Sequence, residues 1–308
     1  MNRKAVIDIG TNSIKMFVAE MAPNGSLTKI IDVNNIARLG EGMGEEGLLK
    51  PEAIARNVEA VDQFVKQAAA SGAGQIVAVG TMALRTAKNA AEFIDAVKTA
   101  TGIDVRVIPG EVEAHLSYLA AVSGLGPHAD ALAVCDVGGG SSEFVFGRGA
   151  EVDRRLSINL GAVRVTDRFL TDDPPGAEQV EEAKRFIMDE LEAGGVRGEV
   201  GRLVGIGGTV TSLGAVKFEM VQYDADRIQG AILTAADVDR LIELFISMPL
   251  ERRRTITGLQ PKRAEVIVGG ACILRCIMQQ LGVAELTMSD RGLRHGLMFQ
   301  LFSEGSNS

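Results

Sequence analysis

At 308 residues, 46% hydrophobic and 23% charged, the chain has the composition of a globular protein and is long enough for two domains that each bury a core. Its net charge of −8 argues against nucleic-acid binding through a broad basic face. No apolar run of membrane-spanning length, no signal-peptide cleavage region and no disulfide framework among its three cysteines can be read, so a cytoplasmic protein without a membrane role is expected.

Apolar runs predict strands over 5–9, 14–20 and 27–36. Pro51 then announces a helix over 51–70, in which Ile54, Val58, Val61, Phe64, Val65 and Ala68 recur at one-face spacing. The glycine-rich stretch 71–74 leads to a buried strand at 76–79 and a helix near 90–99. A strand at 105–108 follows and, after Pro109-Gly110, a helix from Glu111 to about Val122. The order is βββαβαβα. Residues 124–127, Gly-Leu-Gly-Pro, read as the boundary between two domains, 1–124 and 125–308.

The second half repeats the order. Strands are expected at 132–136, 143–146 and 152–157, then helices from Gly161 and over 177–191. A strand at 203–206 runs into Gly207-Gly208-Thr209, which opens another helix; helices at 235–246 and 263–281, a strand at 285–288 and a last helix from Arg291 complete the chain. This alternation predicts an α/β fold of mixed sheets covered on their faces, with ligands at the carboxyl ends of strands, where the glycine turns lie. Cys272 and Cys276, four apart with no His or second Cys pair nearby, read as core packing. His115, His128 and His295 show no metal spacing.

One pattern is written twice. Asp8-Ile9-Gly10-Thr11-Asn12-Ser13 follows one apolar strand and precedes another, and Asp136-Val137-Gly138-Gly139-Gly140-Ser141-Ser142-Glu143 does the same. An acid ending a buried strand, then small residues whose backbone N–H groups face outward, can hold a phosphate and its cation together. A single copy reads equally as a tight hairpin. Duplication with the Asp retained favours two phosphate loops in two lobes facing one cleft.

A doubled βββαβαβα unit with paired Asp-x-Gly loops resembles the actin, Hsp70 and sugar-kinase superfamily, whose domains are ribonuclease H-like. Within it the chain resembles the exopolyphosphatase and guanosine pentaphosphate phosphohydrolase (Ppx/GppA) family. The resemblance rests on the two loops, on Gly80-Thr81-Met82-Ala83-Leu84-Arg85, on residues 108–114 (Ile-Pro-Gly-Glu-Val-Glu-Ala), and on Ser289-Asp290-Arg291-Gly292-Leu293-Arg294-His295-Gly296. Five short motifs in register span nearly the whole chain. Val112 stands where the family usually has Glu, and His115 where it commonly has Arg.

Hydrolysis of a phosphoanhydride needs a positioned water, a base that orients it, and positive charge on the phosphate oxygens. Glu111 and Glu113 open a helix, where they could simply complement its dipole. The resemblance implies that Glu113 is the general base and Glu111 an ordinary first-turn acid. Asp136 and Glu143 bracket the glycine turn, and hard oxygen ligands at a phosphate loop suit Mg²⁺, with Asp8 in the same role from the other half; as an alternative, these acids cap turns. Gly138, Gly139, Gly140, Ser141 and Ser142 would supply donors to one phosphate, and Thr11, Asn12 and Ser13 to another. Gly207, Gly208 and Thr209 make a third anion site at a helix N-terminus. Arg85 offers a fork suited to phosphate oxygens, or else a surface salt bridge.

The leading expectation is an Mg²⁺-dependent hydrolase acting on polyphosphate or guanosine pentaphosphate. One rival is an ATP-dependent small-molecule kinase of the same superfamily, for which Val268-Gly269-Gly270-Ala271 could pass as an adenosine-side glycine motif. Another is a non-catalytic module that binds a guanosine penta- or tetraphosphate alarmone. Pairing of two copies through the second half is expected as well. Longer family members carry further helical domains, whereas this chain stops about a dozen residues after Gly296. Its basic candidates for a long polyanion are few (residues 252–254, Lys262, Arg263, Arg291 and Arg294), which favours short substrates.

Overall fold

Strand β1 (Arg3–Ile9) is apolar at every residue from Ala5 to Ile9 except Asp8 because both of its faces are covered: Ala5, Ile7 and Ile9 join one core cluster and Val6 another. The computed structural model describes residues 3–22, 27–44, 46–125, 131–149 and 151–304. β2 (Ile14–Met21) pairs antiparallel with β1, and β3 (Leu27–Asn35) antiparallel with β2. Helix α1 (Pro51–Ala70) starts with Pro at its first turn and buries Ala53, Asn57, Ala60, Val61, Phe64 and Ala68 along one stripe. β4 (Gln75–Gly80), α2 (Met82–Thr86), α3 (Ala90–Thr101), β5 (Val105–Val107) and α4 (Gly110–Leu125) follow. The sheet order is β3-β2-β1-β4-β5, with β4 and β5 parallel to β1.

The second sheet is built from β6 (Ala131–Val137), β7 (Ser142–Arg148) and β8 (Glu151–Ile158), then α5 (Ala162–Phe169), α6 (Ala177–Ala193), β9 (Arg202–Ile206), α7 (Gly207–Lys217), α8 (Ala225–Ile228), β10 (Ile232–Thr234), α9 (Ala235–Ile246), α10 (Leu250–Arg253), α11 (Ile267–Gln280) and β11 (Glu285–Met288). Its order is β8-β7-β6-β9-β11-β10. The first five positions repeat the first sheet strand for strand and direction for direction, and β10 is an added antiparallel edge. α11 is buried from Ile267 to Met278 on all but one residue, Arg275, and packs against α5, α6, α7 and α9. Cys272 and Cys276 lie inside it, and burial pushes both thiols up to about 12, which makes them core residues as the sequence suggested.

Two compact units divide the chain, Met1–Leu116 with Leu293–Ser308, and Ser117–Gly292. This differs from the expected division at 124/125. α4 continues unbroken through Leu116, whose side chain joins a core of the first unit, and the last helix, α12 (Leu293–Glu304), returns to that unit. Arg294 grips Asp32 of β3 through two hydrogen bonds (2.7 and 3.0 Å), His295 reaches the same carboxylate at 3.2 Å, and the His295 ring lies 4.4 Å from that of Phe17. Arg294, expected among the basic contacts for a polyanion, is therefore committed to holding α12 on the first sheet. Of residues 124–127, Gly126 and Pro127 lie outside the described residues, as does His128.

The remaining elements match expectation in order and type. α2, α8, β10 and α10 are three to five residues long, too short for a periodic signal. The helix expected over 263–281 begins only at Ile267, and Pro261–Arg263 form a separate 3-10 turn. Among the described residues no helix is long and apolar enough to cross a membrane.

Candidate active site

In the first unit, β1, β4 and β5 are neighbours and parallel, so the turns that leave their carboxyl ends meet along one edge. Gly10 closes the turn after β1 by donating to the Ser13 carbonyl (3.0 Å). Thr81, after β4, donates to the Ile9 carbonyl (3.1 Å), and Ile108, after β5, to the Gly80 carbonyl (3.0 Å). The edge is thus stitched from Asp8 to Pro109. Two helices rise from it: α2 presents Arg85, and the first turn of α4 presents Glu113. Arg85 Nη1 donates to Glu113 Oε2 at 2.6 Å and to the Ile108 carbonyl at 3.1 Å. Glu113 is buried, Glu111 is exposed, and Val112 between them is 41% exposed. The two first-turn acids are thereby separated: one faces solvent, the other is held against an arginine.

Asp8, Thr11 and Asn12 are buried at the same edge, and Ser13 is half-buried. Asn12 is 6% exposed, and neither its amide nitrogen nor its amide oxygen has a hydrogen-bond partner. A buried amide left unpaired costs about 1–3 kcal/mol, which a phosphate or its waters would relieve. The turn is clamped from outside by the loop after β3. Arg38, in left-handed conformation (φ 51), donates its N–H to the Asn12 carbonyl, and Gly40 donates to that of Thr11 (both 2.9 Å). A Cβ on Gly40 would overlap the Thr11 side chain. Asn57 and Arg56 of α1 hold this loop through the Ala37 carbonyl (2.8 and 2.7 Å). The sequence reading passed over Arg38, which carries no local motif beyond the neighbouring glycines.

In the second unit the hairpin joining β6 and β7 sets Asp136 opposite Glu143. Gly138 donates to the Ser141 carbonyl (2.9 Å), while the Gly138 and Gly139 carbonyls accept from Ala162 and Val163 at the start of α5 (2.9 and 2.8 Å). The glycine turn is thus fixed by the helix behind it. Gly161 packs so closely on Gly139 and Gly140 that a Cβ there would overlap their backbone. Glu143 is buried and accepts from the Ser157 hydroxyl (3.0 Å).

Two of the expected phosphate donors are turned to structural use. Ser142 is fully buried and donates to the Leu160 carbonyl (2.5 Å), and the Thr209 hydroxyl donates to the Val137 carbonyl (3.0 Å). Their side chains brace the loop and α7. Gly207 has φ +83, and a Cβ on it would overlap Asp136 Oδ1. Only glycine admits the carboxylate at the helix N-terminus.

Gly208 is covered by Arg263, one of the basic residues expected to meet a polyanion. Arg263 is 8% exposed, and its guanidinium fills the space a Gly208 side chain would occupy. Burial pulls its pKa down to about 10, against the opposing effects of Tyr223 and Asp136. The glycines of Val268-Gly269-Gly270-Ala271, by contrast, sit inside α11. A Cβ on Gly269 would stand 2.7 Å from Thr166 Oγ1 and one on Gly270 2.7 Å from Thr209 Cγ2, so they serve helix packing and not an open nucleotide loop. Among the described residues no three or more His, Cys, Asp or Glu side chains gather as a metal cage. Two opposed carboxylates beside a phosphate loop still fit Mg²⁺, which is commonly held by one or two acids and completes its shell with water and phosphate.

The model of the Ppx/GppA phosphatase family matches residues 2–304. Exopolyphosphatase 2 of Mycobacterium tuberculosis is 34% identical over 316 residues, covering 98% of this chain and 99% of its own. Exopolyphosphatase 1 of the same organism is 28% identical, over 97% of this chain and 88% of its own. The solved Ppx/GppA family structure from Aquifex aeolicus superposes with a TM-score of 0.84 at 33% identity, over 100% of this chain and 99% of that one. The doubled sheet is the actin-like fold that the motifs implied. The chain belongs to the Ppx/GppA phosphatase family and is, with that family, a phosphoanhydride hydrolase.

Proposed function

We propose that the chain removes the terminal phosphate of inorganic polyphosphate, with Glu113 orienting the attacking water. The observation that carries this reading is the buried Glu113 carboxylate held by Arg85 beside the turn whose Asn12 amide is unpartnered. The M. tuberculosis relatives named exopolyphosphatases supply the substrate class. In the first unit, Glu113 accepts a hydrogen bond from water and takes its proton as the new O–P bond forms and the bridging P–O bond breaks, the shortened polyphosphate leaving as the anion with that electron pair, while the Thr11–Ser13 turn holds phosphate oxygens. Arg85 fixes the carboxylate's orientation.

In the second unit, the backbone N–H groups of the glycine turn and of the α7 N-terminus hold phosphate oxygens, and the Arg263 fork donates to the oxygens that lie over Gly208. Asp136 and Glu143 would hold Mg²⁺, which when bound supplies positive charge to the phosphate oxygens. Asp8 is a further acid of this kind in the first unit. Guanosine pentaphosphate offers the same terminal phosphoanhydride to the same turns and is the second substrate of this reading.

The test is phosphate release from short polyphosphate, long polyphosphate, guanosine pentaphosphate and ATP, with and without Mg²⁺ and with no acceptor present. Release from polyphosphate that needs Mg²⁺ is expected. Turnover of ATP only when an acceptor is added would replace this reading with a kinase, and tight guanosine pentaphosphate binding without release with a binding module.

A further inference from the structure

Arg253, outside every glycine loop, is 3% exposed. Its guanidinium spreads over three backbone carbonyls from two segments: Nε to Phe245 at the end of α9 (2.8 Å) and Nη2 to Met248 just beyond it (3.2 Å), and Nη1 to Ala264 (3.2 Å). Asp173, whose carboxylate accepts the Leu250 N–H (2.7 Å), stands 3.9 Å away as the counter-charge. Ala264 directly follows Arg263. Local bonds also close the turn carrying Arg263: Arg263 N–H to the Gln260 carbonyl (2.8 Å), Ala264 N–H to that of Pro261 (3.3 Å) and Val266 N–H to that of Arg263 (3.1 Å). The Arg263 side chain itself donates no hydrogen bond to any described residue. Its fork therefore lies over Gly208 because of where its backbone is set, and Arg253 ties that backbone, through the Ala264 carbonyl, to the end of α9.

We infer that Arg253 is a positioning residue for substrate binding: it sets the Pro261–Arg263 turn so that the Arg263 guanidinium stands over the N-terminus of α7. This rests on the reading that Arg263 takes phosphate oxygens there. A planar fork suits this arrangement because its donors are spread over three nitrogens fixed in one plane, whereas an ammonium offers its three donors from a single nitrogen. A displaced turn would carry the Arg263 fork off the phosphate while leaving the Glu113 and Asp136 machinery in place.

The experiment compares Arg253→Lys, Pro261→Gly, Arg263→Met and the double variant Arg253→Lys/Arg263→Met. KM and kcat on polyphosphate, the Kd for inorganic tripolyphosphate by calorimetry, and the melting temperature are read for each. Arg253→Lys and Pro261→Gly are expected to raise KM and Kd about fivefold with kcat within about twofold, and Arg253→Lys to add less than about 1.5-fold once Arg263 is Met. Melting temperatures that fall while KM and Kd stay put would overturn the inference and leave Arg253 a structural residue. The same fivefold effect persisting in the Arg263→Met background would overturn it too, since Arg253 would then act elsewhere. If Arg263→Met binds tripolyphosphate as tightly as the parent protein, both the inference and the phosphate role of Arg263 fall. If the parent releases no phosphate from polyphosphate yet the Kd pattern holds, the proposed reaction fails and the positioning role stands.

Discussion

Arg85 and Glu113, 28 residues apart in sequence and on different helices, are joined by a 2.6 Å hydrogen bond. The pair gives the proposed base a fixed direction, and it separates Glu113 from Glu111, which shares the same first turn of α4 and faces solvent. Glu113→Gln keeps the shape and the hydrogen-bonding capacity toward Arg85 while removing the base. Turnover is expected to fall by about two or more orders of magnitude with little change in tripolyphosphate affinity. Glu111→Gln is expected to retain nearly full activity. Near-normal turnover in a folded Glu113→Gln protein would remove Glu113 from the mechanism.

The acids of the second unit make a different prediction, because they differ in what they already do. Glu143 accepts from Ser157 inside the sheet, so Glu143→Ala both removes a candidate cation ligand and leaves a half-buried hydroxyl short of its acceptor. The expected result is a several-fold rise in the Mg²⁺ concentration at half activity, beyond what a lowered melting temperature explains. Ser157→Ala separates the two effects: it perturbs the same pair while leaving the carboxylate. A Mg²⁺ dependence that shifts equally in both variants would assign Glu143 to the fold alone.

Much of this was legible in the residues, and what was not has a physical pattern. The apolar strands, the Pro51 helix start and the Asp-x-Gly turns are local signals, and each reads correctly from a few neighbouring side chains. Arg263 and Arg253 were legible only as members of the basic runs that could meet a polyanion, and a run of basic residues carries no signal of where each member sits. Only the fold brings Arg263 over Gly208 and closes three carbonyls around Arg253. Ser142 and Thr209 failed in the opposite way. Their positions in the glycine motifs were right, but the hydroxyls point to the Leu160 and Val137 carbonyls, partners that sequence spacing does not announce. The return of α12 to the first unit depends on Asp32 and Arg294, which are 262 residues apart.

That long-range grip predicts how the protein responds to acid. Burial alone would raise the Asp32 pKa, but the hydrogen bond from His295 and the Arg294 guanidinium override it and hold the carboxyl well below the usual carboxylate range. A depressed carboxylate contributes stability that is present above its unfolded pKa, about 4, and is lost as pH falls from there through the folded value. Asp32→Asn is expected to destabilise by about 3 kcal/mol at neutral pH, because it removes the carboxylate that faces a largely buried arginine. The gap in melting temperature between the two proteins should narrow steadily below about pH 4. A gap that stays constant down to pH 2.5 would mean the carboxylate charge is not what holds α12.

Two adjacent glycines should fail in distinguishable ways. At Gly207 an alanine meets both a left-handed backbone (φ +83), which costs an L-residue about 1–2 kcal/mol, and the Asp136 carboxylate, which occupies the space its Cβ requires. Asp136 is seated at the end of a central strand and has little room to retreat, so Gly207→Ala should lower the melting temperature and displace the acid. The Mg²⁺ requirement is expected to rise with it. Gly208 lies within α7 and its Cβ meets only the far end of a long side chain. There alanine recovers about 0.5–1 kcal/mol of helix propensity while pushing the Arg263 fork aside. Gly208→Ala should therefore be close to the parent in stability and Mg²⁺ dependence but raise KM for polyphosphate, as Arg263→Met does. Melting curves, Mg²⁺ titrations and KM values on the two variants decide the matter: a Gly207→Ala enzyme with unaltered Mg²⁺ dependence would detach Asp136 from the cation, and a Gly208→Ala enzyme with unaltered KM would detach Arg263 from the phosphate.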